Sequence, residues 1–130
     1  MVIVVMDFGE NMHNHKTTID KMDKLRKLVM FKMTNYKSHP DFIWSCKTLD
    51  NIKGGLKPSK EEFIMANLIW KKYNGGVKRN DEGMWELIEY HIKGQMKISA
   101  IKLLRRFTEC NLRDAKEAID ARQIKIEQGW

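Results

Sequence analysis

Between Ser59 and Gly76 the chain carries both ends of a helix in its side-chain chemistry. Ser59-Lys60-Glu61-Glu62 puts a hydroxyl at an N-cap and a carboxylate three residues on, a reciprocal pair that satisfies two orphan amides. Asn74-Gly75-Gly76 supplies the residues that most readily take the left-handed backbone on which helices stop. The apolar residues between these signals, Phe63, Ile64, Met65, Leu68, Ile69, Trp70 and Tyr73, spread around more than half the circumference, wider than one packed face requires. This helix is therefore either central or has a side that binds something, and a homodimer through the Trp70 side is one such use.

The same punctuation divides the rest of the chain. Thr17 or Thr18 caps a helix running to about Asn35, with Ile19, Met22, Leu25, Val29, Met30 and Met33 on one arc and Lys21, Lys24, Lys27 and Lys32 mostly outside it. Ser38-His39-Pro40-Asp41 interrupts and restarts the chain, since Pro40 suits a first helical position. Phe42, Ile43, Cys46, Leu49 and Ile52 supply the apolar set of this second helix, which Gly54-Gly55 ends. After a polar hinge from Val77 to Asp81, Asn80 or Asp81 caps a fourth helix containing Trp85, Leu87, Ile88, His91 and Ile92, and Gly94 stops it. Two more helices follow, about Met96 to Thr108 and Leu112 to Glu127. The β-branched run Val2 to Val5 is expected as one short edge strand or extended arm, joined through a polar linker from Gly9 to Lys16. The expected fold is mainly α: a small multi-helix bundle with a C-terminal helix-turn-helix hairpin. A helical body over 1–76 and a three-helix module over 77–130 form either two domains or one continuous domain.

Composition narrows the function classes. A chain of 130 residues with 42% apolar residues can build a modest core without staples. Its formal charge of +7 favours an anionic partner, which means nucleic acid, an acidic protein surface or, with less support, anionic lipid. Two cysteines, Cys46 and Cys110, are too few for a disulfide framework and lack zinc-site spacing, which points to a reducing, cytoplasmic setting. Val2 to Val5 is too short to span a membrane. The leaning toward Lys, Asn, Ile and Met fits an AT-rich genome of the kind many bacteriophages have.

Catalytic chemistry finds little support. Asp7, His13 and His15 offer metal-ligand types without a scaffold to fix their geometry, and His39 and His91 read as a turn residue and a satisfied core histidine. No HExxH motif, phosphate-cradling glycine loop or Ser-His-Asp context occurs, and Glu61-Glu62 is explained by the capping box. The expectation is a non-enzyme with no metal and no cofactor.

The fifth helix differs. With Lys97 at zero, stepping about 100° per residue puts Ala100, Ile101, Leu103, Leu104 and Phe107 on one arc, expected to be the buried side, and Lys102, Arg105 and Arg106 on the other. Ile98 lands between Arg105 and Lys102, a branched aliphatic inside a basic patch, as protein contacts are often built. The alternative is that the preceding helix covers Ile98.

Lys97-Ile98-Ser99-Ala100-Ile101-Lys102, followed by Arg105, Thr108, Leu112-Arg113-Asp114-Ala115-Lys116 and Asp120, resembles without a gap the helical hairpin in the C-terminal domain of the bacterial ribosomal stalk protein. A shorter similarity, Ile101 to Ala118, exists to the N-terminal helical domain of elongation factor Ts. In the stalk family this hairpin contacts translational GTPases, so the resemblance implies partner-binding roles for Lys97, Ile98, Ser99, Ile101, Lys102, Arg105, Arg113 and Lys116, every basic position of that surface staying basic. Two departures accompany it. The family has glycines in the turn where this chain has Glu109 and Asn111, and a left-handed Glu costs about 1 kcal/mol or more. The family domain is also a mixed α/β fold, whereas no strand pattern follows the second helix here.

These residues leave three functions open. The first is an adaptor or inhibitor whose hairpin docks an acidic face of a larger protein such as a translation factor. The alternative is a nucleic-acid-binding protein touching phosphates through Lys102, Arg105, Arg106 and Arg113, joined by Lys21 to Lys32. The third is a structural subunit that dimerises through the Trp70 helix.

Overall fold

Why six stretches of this sequence become helix is visible at their ends in the computed structural model, which describes residues 15–129. The helices are α1 (His15–Lys32), α2 (Pro40–Lys53), α3 (Lys60–Tyr73), α4 (Glu82–Lys93), α5 (Lys97–Thr108) and α6 (Leu112–Glu127), with one 3₁₀ turn at Tyr36–Ser38. No strand occurs among the described residues, so the fold is all-helical. The strand expected at Val2 to Val5 lies outside them. The chain divides into two compact units that meet in sequence at Gly75 and Gly76. Both glycines have positive φ, 116° and 93°, a run that side-chain-bearing residues adopt only under strain.

In the first unit α1 packs against both α2 and α3. Its stripe of Thr18, Met22, Leu25 and Val29 is buried at helical spacing. Thr18 is the first buried member of that stripe, so Thr17 and Thr18 lie within the helix rather than capping it, and the helix ends at Lys32 instead of reaching Asn35. The capping box at α3 forms as its sequence predicts: the Glu62 amide donates to Ser59 Oγ at 3.2 Å and the Ser59 amide to Glu62 Oε1 at 3.0 Å. Phe63, Ala66, Leu68 and Ile69 of α3 are buried, while Ile64, Met65, Trp70 and Tyr73 stay partly exposed.

Helix α2 buries Leu49 and Ile52 of its apolar set but fills the rest of its inward face with polar residues. His39, expected as a turn residue, is the N-cap, its Nδ1 accepting the Asp41 amide at 3.1 Å ahead of Pro40 at the first position. The buried face consists of Asp41, Ser45, Thr48, Leu49 and Ile52, and Ile43 is 52% exposed. The reason is a polar network. Asp41 is 0% exposed and accepts from Tyr73 Oη at 2.7 Å and Lys72 Nζ at 3.0 Å, while Ser45 Oγ donates to the Asp41 carbonyl at 2.7 Å. A buried carboxylate is tolerable only when paired and hydrogen-bonded, and the helix is rotated to keep it so.

In the second unit Asp81 caps α4 by accepting the Met84 amide at 3.0 Å. The core is almost purely aliphatic and aromatic: Met84, Leu87, Ile88 and Ile92 from α4, Ala100, Leu103, Leu104 and Phe107 from α5, and Ala115 and Ile119 from α6. Each large side chain of this set contributes roughly 1.5–3 kcal/mol on burial. His91 is only half-buried, and its buried Nδ1 has no hydrogen-bond partner among the described residues, which corrects its reading as a satisfied core histidine.

Candidate docking surface

Helix α5 is bounded at each end by backbone that side chains seldom adopt. Gln95, before α5, has φ 60°, and Glu109, after it, has φ 56° and ψ 23°. The left-handed conformation anticipated for the Glu109 position is therefore present without a glycine, at about 1–2 kcal/mol. Asn111 takes another role. It is the N-cap of α6, accepting the Asp114 amide at 2.8 Å. Arg105 reinforces the turn, its Nε donating to the Cys110 carbonyl at 3.4 Å.

With α5 fixed this way, Ala100, Leu103, Leu104 and Phe107 face inward, and the opposite arc carries Ile98, Lys102 and Arg105 in water. Ile98 is 71% exposed, so the preceding helix does not cover it. Lys97 forms an ion pair with Asp120 of α6, which ties the start of α5 to the second helix. Ser99 and Ile101 are half-buried at the flanks of the exposed arc.

The remaining cations divide by what they already touch. Arg106 is half-buried with its guanidinium 5.4 Å from the Phe107 ring centroid, and Arg113 pairs along α6 with Glu117 at 3.4 Å. Lys102 and Lys116 are exposed and have no acidic partner among the described residues. The structure thus gathers Ile98, Lys102 and Arg105 on one arc, adds Lys116 and Arg113 on the exposed side of α6, and holds Lys97 and Arg106 in internal contacts.

Two apolar residues beside this surface escaped sequence reasoning. Met96 and Leu112, exposed at the starts of α5 and α6, enlarge the apolar area near Ile98 and near the turn. The signal available was position: a residue in the first turn of a helix has fewer neighbours than the same angle at mid-helix. A third feature of the unit is a cleft of about 160 Å³ lined by Trp85, Leu104, Thr108 and Cys110, with Arg79 and Asp114 at its sides. Trp85 is held there by its Nε1 donating to the Arg79 carbonyl at 2.6 Å and by the Arg122 guanidinium 4.4 Å from its ring.

Both cysteines are free and half-buried, and burial pushes the Cys46 thiol above its usual range, which lowers its nucleophilic fraction. No group of three metal-ligating side chains forms among the described residues, while the Asp7, His13 and His15 side chains lie outside them. No described helix is long and apolar enough to cross a membrane. Compared with known proteins, the chain matches no family model, no curated protein and no solved structure.

Proposed function

We propose that this chain is a non-enzymatic binding protein, an adaptor or inhibitor whose C-terminal hairpin docks on an acidic surface of a larger protein. The observation that carries the reading is Ile98, 71% exposed between Lys102 and Arg105 on a helix whose opposite arc is fully packed. A solvated isoleucine stabilises nothing in the free chain, yet covering it with a partner would contribute roughly 1.5–3 kcal/mol. Cations around an apolar anchor speed encounter with an acidic face and disfavour basic ones. The resemblance to the ribosomal stalk hairpin points to a translational GTPase or another component of gene expression as the class of partner. A phosphate backbone would use the cations but leave Ile98 without a counterpart.

Affinity capture from nuclease-treated lysate with the wild-type chain, Ile98→Asp and Lys102→Glu tests this. The expected result is an acidic protein retained by the wild type after nuclease treatment and lost in both variants. Retention of the same proteins at the same strength by either variant rejects the surface, and loss of all retained protein on nuclease treatment rejects a protein partner.

A further inference from the structure

The first unit carries a second basic surface with a different central residue. Phe31 is 84% exposed on the last turn of α1, the most exposed large apolar side chain of the described chain. Lys24 and Lys27 share its face, the three lying within about 60° of arc at helical spacing. Lys32 places its Nζ 5.9 Å from the Phe31 ring centroid. From His15 to His39 the sequence holds seven Lys and Arg against two Asp, Asp20 and Asp23. Asp23 is engaged by Arg26 at 2.8 Å and Lys27 at 2.9 Å, and Asp20 lies far back along the helix, three turns before Phe31. Lys24 and Lys37 have no acidic partner among the described residues.

Past the end of α1, Thr34, Asn35, Tyr36, Lys37 and Ser38 line an open recess of about 430 Å³. Two backbone bonds close this turn, the Ser38 amide donating to the Asn35 carbonyl at 3.4 Å and the His39 amide to the Tyr36 carbonyl at 2.9 Å. The Thr34 hydroxyl and Asn35 side-chain amide have no partner among the described residues, so exposed hydrogen-bonding groups follow the aromatic within four residues along the chain.

We infer that the end of α1 and the following turn bind single-stranded nucleic acid, with Phe31 stacking on a base, Lys24, Lys27 and Lys32 contacting phosphates, and the 34–38 recess receiving a neighbouring nucleotide. Sequence-tolerant single-strand binding uses this combination of exposed ring and cationic track. A duplex fits less well, because its bases are already stacked and offer no face to a side chain at the end of a helix. A membrane surface fits less well too, because the apolar stripe of α1 is spent on the core and a single phenylalanine leaves no apolar face to insert. The inference does not rest on the docking hairpin, which lies in the other unit.

The test is fluorescence anisotropy of a labelled oligothymidine with the full chain, titrated between about 50 and 200 mM salt. Phe31→Ala, at a side chain that touches little of the core, should weaken binding about tenfold with an unchanged melting curve. Lys24→Gln and Lys32→Gln should each reduce the slope of log affinity against log salt by about 0.7. Lys102→Glu should leave oligothymidine binding intact, which separates this site from the docking surface. Four results overturn the proposal: no binding by the wild type, unchanged affinity in Phe31→Ala, loss of binding in Lys102→Glu, or competition by a duplex as effective as that by single strand. Phe31-dependent binding to phosphatidylserine vesicles without oligothymidine binding would assign the surface to lipid instead, and equally overturns it.

Discussion

Helices α2 and α5 each turn one face inward, and they bury opposite chemistries. The inward face of α5 is Ala100, Leu103, Leu104 and Phe107, held by area removed from water. The inward face of α2 begins with Asp41, Ser45 and Thr48, and the Asp41 carboxylate on it accepts directed hydrogen bonds from Tyr73 and Lys72 of α3. An apolar face tolerates small rotations and repacking, whereas a buried carboxylate fixes the angle at which its helix must sit. The difference therefore separates a unit whose core is apolar throughout from one that sets a polar network beside its apolar core.

Substitutions can break that contrast. The largest effect expected is Phe107→Ala in α5, a cavity change that should cost about 4 kcal/mol in denaturant unfolding followed by circular dichroism. Asp41→Ala should cost about 3 kcal/mol, because it leaves Lys72 and Tyr73 without their shared acceptor, although it removes no apolar area. If Asp41→Ala proves neutral, the polar network does not hold α2 and the contrast fails. Ile43→Lys sharpens it from the other side: on the outward face of α2 it should shift stability by less than about 0.5 kcal/mol, despite belonging to the apolar pattern.

The smallest effect concerns acid. Hydrogen bonds from Arg26 and Lys27 hold the Asp23 carboxyl below its usual range. A depressed folded pKa contributes stability that is present above the ordinary carboxylate pKa and lost as pH falls through the folded value. Asp23→Asn should therefore lower stability slightly near neutrality and leave it unchanged in strong acid, which flattens the acid limb of the curve, and the effect is small because the pair is solvated. Urea midpoints measured at acidic and neutral pH would reveal a difference.

The same contrast explains what the sequence made legible. Caps and stops placed both ends of α3 and α4 within about a residue, because Ser59, Asn74, Asp81 and Gly94 act through local geometry. The buried arc of α5 followed from periodicity, and with it the exposure of Ile98, since only apolar residues compete for that core. Periodicity misassigned α2, ranking Ile43 and Phe42 above Asp41 and Ser45, because the partners of Asp41 lie 31 and 32 residues away and no local pattern encodes them. His91 failed likewise, through neighbours that do not supply a donor or acceptor. In the candidate docking surface the residue types were readable, but which cations were already engaged, Lys97 with Asp120 and Arg113 with Glu117, depended on helix-to-helix geometry or rotamer.

The left-handed Glu109 has a dynamic consequence. A glycine there would sit at ease, but a glutamate is kept in place only by the helices on either side and by the Arg105 hold on the Cys110 carbonyl. Release of residues 108–111 would return stored strain, so amide exchange should begin there before it reaches the interior of α5. A partner that clasps both helices would quiet such opening as it binds.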